Sequence, residues 1–387
     1  MKKKFWYVAL AALCLMGTST FTSCSDDDDP APVVCPVDET EFTAAKGLQL
    51  MYNGQPMLGQ KVKFTPNGDK ATLTIQSDFD LSGLIGGKAD LPSQSQGPGL
   101  LPGTPELTLN VDLKVNGDQC SFEGAGEAEY CTYEYKGTVA KGSLNLQFNN
   151  VKLKDTSFAG KWDLWVYDSK TYQNDPIHIK WKSAANPMVE FVLKIALRMQ
   201  LIDLAGQKVS IPEMLNAVLK DVTFQEDGNI VATYTDVKDS AAGWQTSPVN
   251  LAQYVVANDT TIKAFLNPVA IMAQVSNRAK AGSEDAIQNA IEQLKPFLKN
   301  GVPVICRPDG DNRTLLLNQD MLLPLLNTTV VPLLKDEKEL DKLLNMMKND
   351  PTLATFVPMA EPLLKSLPDI IETTTKLEVG LNFTVSK

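Results

Sequence analysis

Few residues in this chain have the type and spacing to do chemistry. The single histidine, His178, lies in PIHIKWK. Strand alternation puts Ile177, Ile179 and Trp181 on one face and His178, Lys180 and Lys182 on the other, toward solvent. A Ser–His–Asp triad built on His178 would need partners that no motif nominates. Glu123, Glu127 and Glu129 gather around SFEGAGEAEY, where Gly124 and Gly126 read as a hairpin tip. Paired carboxylates serve glycoside hydrolysis, but a hairpin tip in solvent is a poor place to shift a pKa. Asp309, Asp311 and Asp320 match positions one, three and twelve of a calcium loop. Arg313 and Thr314 stand at five and six, and position six needs Gly for its turn, so the hairpin reading wins. No G-x-S-x-G elbow, HExxH, Walker loop or G-x-G-x-x-G occurs. The expectation is a non-enzyme without metal or cofactor.

The better candidate site is aromatic. In GKWDLWVYD, Trp162, Leu164 and Val166 share a face, while Trp165 and Tyr167 share the opposite face with Asp163. If that face is solvated, the two rings form a platform that stacks on sugars or apolar ligands. If helices cover it, they are a second core.

Cysteine chemistry begins at the N-terminus. Lys2, Lys3 and Lys4 precede the apolar run FWYVALAALCLMG, then small polar residues lead to Cys24. That is the layout of a secretory signal over residues 1–23. The run falls short of the roughly 20 apolar residues that span a bilayer. FTSC, residues 21–24, resembles a bacterial lipoprotein processing site, with Phe21 where Leu is usual. The resemblance implies that Cys24 becomes the first mature residue and carries acyl chains. Each buried methylene contributes about 0.8 kcal/mol, and two chains hold a protein stably to a membrane. Asp26–Asp29 repel one another and stay solvated. Pro30 and Pro32 keep the segment extended, so residues 24–40 read as a spacer. An acidic run after the lipidated cysteine also resembles the export signal of Bacteroides-type surface lipoproteins. That implies an outer-membrane location facing the cell exterior; the alternative is a tether on the periplasmic face.

Cys35, Cys120, Cys131 and Cys306 remain. An even number in an exported chain permits disulfides. Cys120 and Cys131 bracket the proposed hairpin tip, which favours a bridge between them and leaves Cys35 with Cys306. Four cysteines allow three pairings. Removing three lysines from the 36 basic residues leaves 33 against 46 acidic ones, a net of −13. Nucleic acid and anionic headgroups are therefore poor partners.

The elements that position these residues divide near Ser183. Residues 41–182 read as an antiparallel β domain, a meander or barrel-like fold. ELTLNVDLKVNGD alternates Leu107, Leu109, Val111, Leu113 and Val115 against polar residues and runs into an Asn-Gly turn. The Gly-, Pro- and Ser-rich stretch from Ser82 to Glu106 is a long loop. Residues 183–387 read as an α+β domain of helices packed on an antiparallel sheet. Helices are expected from Pro187 to Gly206, from Pro212 to Leu219 and over EDAIQNAIEQLKPFLKN. From Gln319 to Leu367 short Leu-rich segments are expected to break at Pro324, Pro332, Pro351 and Pro358. TTTKLEVGLNFTVSK reads as a closing strand. A hairpin recurs: VKFTPNGDKATLTI from Val62 aligns without gaps with VICRPDGDNRTLLL from Val304, and VTFQEDGNIVATYT from Val222 is a looser copy. Convergence on a favourable hairpin and duplication both account for it.

The Cys-Ser-Asp start, GQPMLGQKVKFTPNG, the LPGTP loop and FNNVKLKD resemble a family of uncharacterised Bacteroides surface lipoproteins. The resemblance implies location and architecture and brings no activity. The expected function is non-enzymatic binding or accessory work at the surface, such as glycan or nutrient capture. One alternative is a protein that holds an apolar ligand, a lipid, in a tunnel between C-terminal helices and sheet. Another is a structural or adhesive subunit.

Overall fold

The computed structural model describes residues 35–79, 97–204, 206–235, 243–276, 297–350 and 353–386. Strands take 47% and helices 26%, so β structure dominates an α+β fold. The first sheet runs β1 (Thr40–Phe42), β4 (Gln60–Asn67), β5 (Lys70–Ser77), β6 (Glu106–Asp112). The second runs β3 (Gln55–Pro56), β2 (Leu48–Tyr52), β10 (Ser143–Leu153), β9 (Cys131–Ala140), β8 (Gln119–Glu127), β7 (Lys114–Asn116). Alternation decides both. Val62, Phe64, Leu73, Ile75, Leu107 and Leu109 are buried on the first sheet, and Leu50, Phe122, Val139, Leu144, Leu146 and Phe148 on the second. All belong to one continuous apolar cluster. Within the second sheet β2 and β10 pair in parallel, from Leu48 opposite Leu144 to Tyr52 opposite Phe148. A parallel pair needs a long crossover, and β4, β5 and β6 of the first sheet lie within that connection.

The third sheet has ten strands. Its order is β17 (Gln245–Thr246), β16 (Ile230–Tyr234), β15 (Leu219–Phe224), β11 (Gly160–Leu164), β22 (Thr374–Val385), β21 (Asn312–Asn318), β20 (Val302–Asp309), β19 (Thr261–Leu266), β18 (Ala252–Asn258). β12 (Ile177–Ser183) also pairs with β22. A separate hairpin joins β13 (Ile202–Leu204) to β14 (Gln207–Val209). The division expected at 182/183 therefore falls inside a sheet, since β11 precedes it, β12 spans it and both pair with β22. Residues Val34–Lys387 cluster as one compact unit.

The expected recurrent hairpins are β4–β5, β20–β21 and β15–β16, turning at Gly68, Gly310 and Gly228, each with positive φ. The closing strand is β22. The helices differ from expectation in extent. α1 (Val189–Arg198) stops early because Met199 turns extended and the chain enters β13; Gly206 sits in that hairpin's turn. α2 (Ile211–Val218) starts at a capping box, in which Ser210 and Glu213 satisfy each other's backbone N–H. α3 spans Pro268–Ser276. Most of EDAIQNAIEQLKPFLKN lies outside the described residues.

α4 (Gln319–Lys335) continues through Pro324 and Pro332, and α6 (Val357–Glu372) through Pro362 and Pro368. A proline inside a helix costs about 3 kcal/mol. Burial offsets it: Leu334 of α4, Leu340 and Leu344 of α5 (Glu337–Asn349) and Val357 of α6 form a cluster of their own. Of the long loop, residues 82–96 lie outside the described residues. Its end is core, with Leu100 and Leu101 buried. Gln60 Nε2 donates to Pro98 O at 3.1 Å and Gln253 Nε2 to Leu100 O at 3.3 Å. Among the described residues no helix is long and apolar enough to cross a membrane.

Candidate functional site

The aromatic pair does not form a platform. β11 ends at Leu164, so strand alternation does not extend to Tyr167. Asn216 of α2 clamps the departing chain: its Nδ2 donates to Trp165 O at 2.8 Å and its Oδ1 accepts from Tyr167 N at 2.8 Å. Tyr167 is only 9% exposed, while Val166, which alternation puts on one face with buried Trp162 and Leu164, is 73% exposed. Trp165 is half-buried, and its Nε1 donates to Thr384 Oγ1 at 3.1 Å. Asp163 pairs with Lys161 at 3.3 Å and accepts from Ser386 Oγ.

The hairpin tip lies elsewhere than expected. Gly124 and Gly126 are inside β8, opposite Tyr135 and Tyr133, and the turn falls after Glu127. Cys120 faces Val139, whereas Cys131 opens β9. Eight residues of strand separate the two positions, about 26 Å at roughly 3.3 Å per residue. A Cys120–Cys131 bridge is thereby excluded. Cys35 lies against Cys120 and not Cys306, with the two sulfurs 2.7 Å apart. All four cysteines are buried. Glu123 pairs with Lys114 at 2.9 Å and Glu127 with Lys154 at 3.3 Å, on exposed surface. Glu123 is held below the usual carboxylate range by that bond to Lys114, so it is not poised to donate a proton.

His178 does not face open solvent. Antiparallel pairing of β12 with β22 sets Lys180 opposite Glu378 and His178 opposite Gly380. Glu378, 6% exposed at its side chain, accepts from His178 Nε2 at 3.1 Å. It also accepts from Arg307 in a two-pronged pair at 3.1 and 3.0 Å, and from Lys376 at 3.0 Å. The Arg307 guanidinium is the main force holding this carboxyl far below its ordinary range; burial opposes it, and His178 and Lys376 add to it. A carboxylate saturated by three donors has no proton to exchange at neutral pH. The cluster ties three strands together and offers no acid–base pair. Among the described residues, no group of three or more His, Cys, Asp and Glu side chains is placed to hold a metal ion.

A candidate ligand surface lies on the outer face of the second sheet. Because Phe122, Val139, Leu144 and Leu146 point inward, period two turns their neighbours outward. Ser121 and Glu123 of β8, Lys136 and Thr138 of β9, and Asn145 and Gln147 of β10 line one recess of about 280 Å³. Its floor is thin at Gly137, where Phe122 packs and a Cβ would meet the ring. A second recess of about 350 Å³ adjoins it, sharing Glu123 and Lys136 and reaching Glu134 and Asn149. The two form a trough of amide, hydroxyl and opposite charge. Such a set can donate and accept in pairs to a hydroxyl-rich ligand. The alternation in QCSFEGAGE and SLNLQFNN carries this signal in the sequence, but only the register shows that the three polar rows align. No family model, curated protein or solved structure matches the chain.

Proposed function

We propose that this chain is a lipid-anchored surface protein that binds a polar glycan on the outer face of the second sheet and does no chemistry on it. The aligned rows of Ser121, Thr138, Asn145 and Gln147, flanked by Glu123 and Lys136, carry the reading. Side-chain amides and hydroxyls match the alternating donors and acceptors of sugar hydroxyls. Lipid on Cys24 and the spacer of Asp26–Asp29 would hold that face in the medium outside the outer membrane. The resemblance to Bacteroides surface lipoproteins agrees with that placement. The test is calorimetric titration of the protein from Ser25 onward with a panel of neutral and charged oligosaccharides. Binding to at least one, without release of new reducing ends, is expected. No binding across the panel defeats the ligand class; new reducing ends defeat the non-enzymatic reading.

A second reading draws on α1. Phe191 and Ile195 are exposed apolar residues at helical spacing, preceded by exposed Met188. An apolar stripe of that kind favours a hydrophobic ligand. Native mass spectrometry of protein purified from cells decides it: a lipid that co-purifies supports this reading, and bare protein removes it.

A further inference from the structure

Cys35 opens the described chain, just before β1 in the first sheet; Cys120 sits on β8 in the second. Their sulfurs touch at 2.7 Å. Both side chains belong to the shared core, together with neighbouring Val37. β1 itself is three residues long, pairing only with β4 through Thr40, Glu41 and Phe42. We propose that Cys35 and Cys120 form a disulfide that pins the N-terminal entry of the body to β8, while Cys131 and Cys306 stay thiols.

The chemistry is an exchange with a disulfide-bearing oxidant, a protein catalyst or a small-molecule disulfide. One thiolate attacks the oxidant's sulfur and forms a mixed disulfide, releasing one oxidant thiolate. The second cysteine thiolate then displaces the other half. Two cysteine thiols lose two protons and two electrons, and the oxidant leaves as two thiols. Once the core closes, access ends: burial pushes the Cys120 thiol up to about 12 and the Cys131 thiol up to about 11. The bond therefore forms before or during folding. It would carry tension from the tether into a strand with neighbours on both sides, so that β1 is not peeled from its edge.

The inference rests on the exported reading, because the cytosol keeps thiols reduced. Two preparations separate the claims. One is the chain made in cells with its own leader; the other starts at Ser25 and is refolded in reduced and oxidised glutathione. Each is alkylated in denaturant, digested and mapped by mass. The expected result in both is a linked pair of peptides containing Cys35 and Cys120, lighter by two hydrogens than their sum. Cys131 and Cys306 are expected to be alkylated. The link in refolded protein alone keeps the juxtaposition and overturns export. Four alkylated cysteines in both, or any other pairing, overturns the bond.

Discussion

The Nε2 atom of His178 lies 3.1 Å from a carboxylate oxygen of Glu378, 200 residues further along the chain. The contact exists because β12 and β22 pair across a sheet that also brings Arg307 to the same carboxylate. It turns the one histidine of the chain into a structural donor.

Glu378→Gln removes the charge that Arg307, Lys376 and His178 share. The carboxylate is buried but Arg307 is half-exposed, so screening reduces the loss below that of a fully buried pair. About 2 kcal/mol of destabilisation is expected, read as a lower urea midpoint at pH 7. The pH dependence has a definite sign. The folded carboxyl lies below its unfolded value of roughly 4.3, so its contribution is complete above about pH 5 and is lost as pH falls further. Wild type should lose its midpoint over that acidic range, and Glu378→Gln should show a shallower fall. Parallel slopes would sink the assignment.

Gly380, opposite His178, has no room for a side chain. A Cβ there would meet the carbonyl oxygen of Leu315 and stand 2.7 Å from Leu316 Cα. Backbone atoms of a paired strand cannot step aside, so Gly380→Ala should cost about 3 kcal/mol or more. Gly310 has φ of +61° and open space around it. Gly310→Ala should cost only about 1 kcal/mol, from the left-handed backbone alone. Thermal midpoints of the two variants rank them; a reversed order would contradict the β21–β22 register.

Strand signals were the readable part of this sequence because they are local. Alternation in ELTLNVD and TTTKLEVGLNFTV, with Gly68 and Gly310 at tight turns, carries its own geometry and needs no distant partner. Three misreadings share one cause, contacts made by residues far off in sequence. Tyr167 is buried because Asn216 captures the chain after Leu164. Pro324 and Pro332 stay helical because α5 and α6 cover their helix. Cys120 meets Cys35 because residues of the two sheets share one apolar core. The polar trough lay half in view: each strand's outer residues were legible, but their alignment depends on the pairing of β8, β9 and β10.

Removing Asn145 and Gln147 tests that trough without touching the core. Both project from β10 on its outer face, away from buried Leu144, Leu146 and Phe148. Asn145→Ala with Gln147→Ala should leave the thermal midpoint within about 1 °C. Affinity for the bound oligosaccharide should fall roughly 10- to 100-fold, at about 1 kcal/mol per lost hydrogen bond. Trp165→Ala should leave that affinity unchanged. Calorimetry on the three proteins separates the sites; loss of binding in Trp165→Ala alone would return the site to the aromatic segment.

The proposed anchor and the proposed address rest on different residues and can be tested apart. In the proposed function Cys24 would supply the attachment, through acyl chains whose buried methylenes contribute about 0.8 kcal/mol each. Asp26–Asp29 would supply the address and not the acylated sulfur, so their replacement by alanine is expected to leave acylation untouched. Cells labelled with radioactive palmitate should mark wild type and the four-alanine variant equally, and Cys24→Ala not at all. Protease added to intact cells should digest wild type and spare the four-alanine variant, which stays on the periplasmic face. Equal digestion of the two would show that the aspartates are a spacer without an address. An unlabelled wild type would remove the anchor itself, and with it the reason to place the trough in contact with the medium.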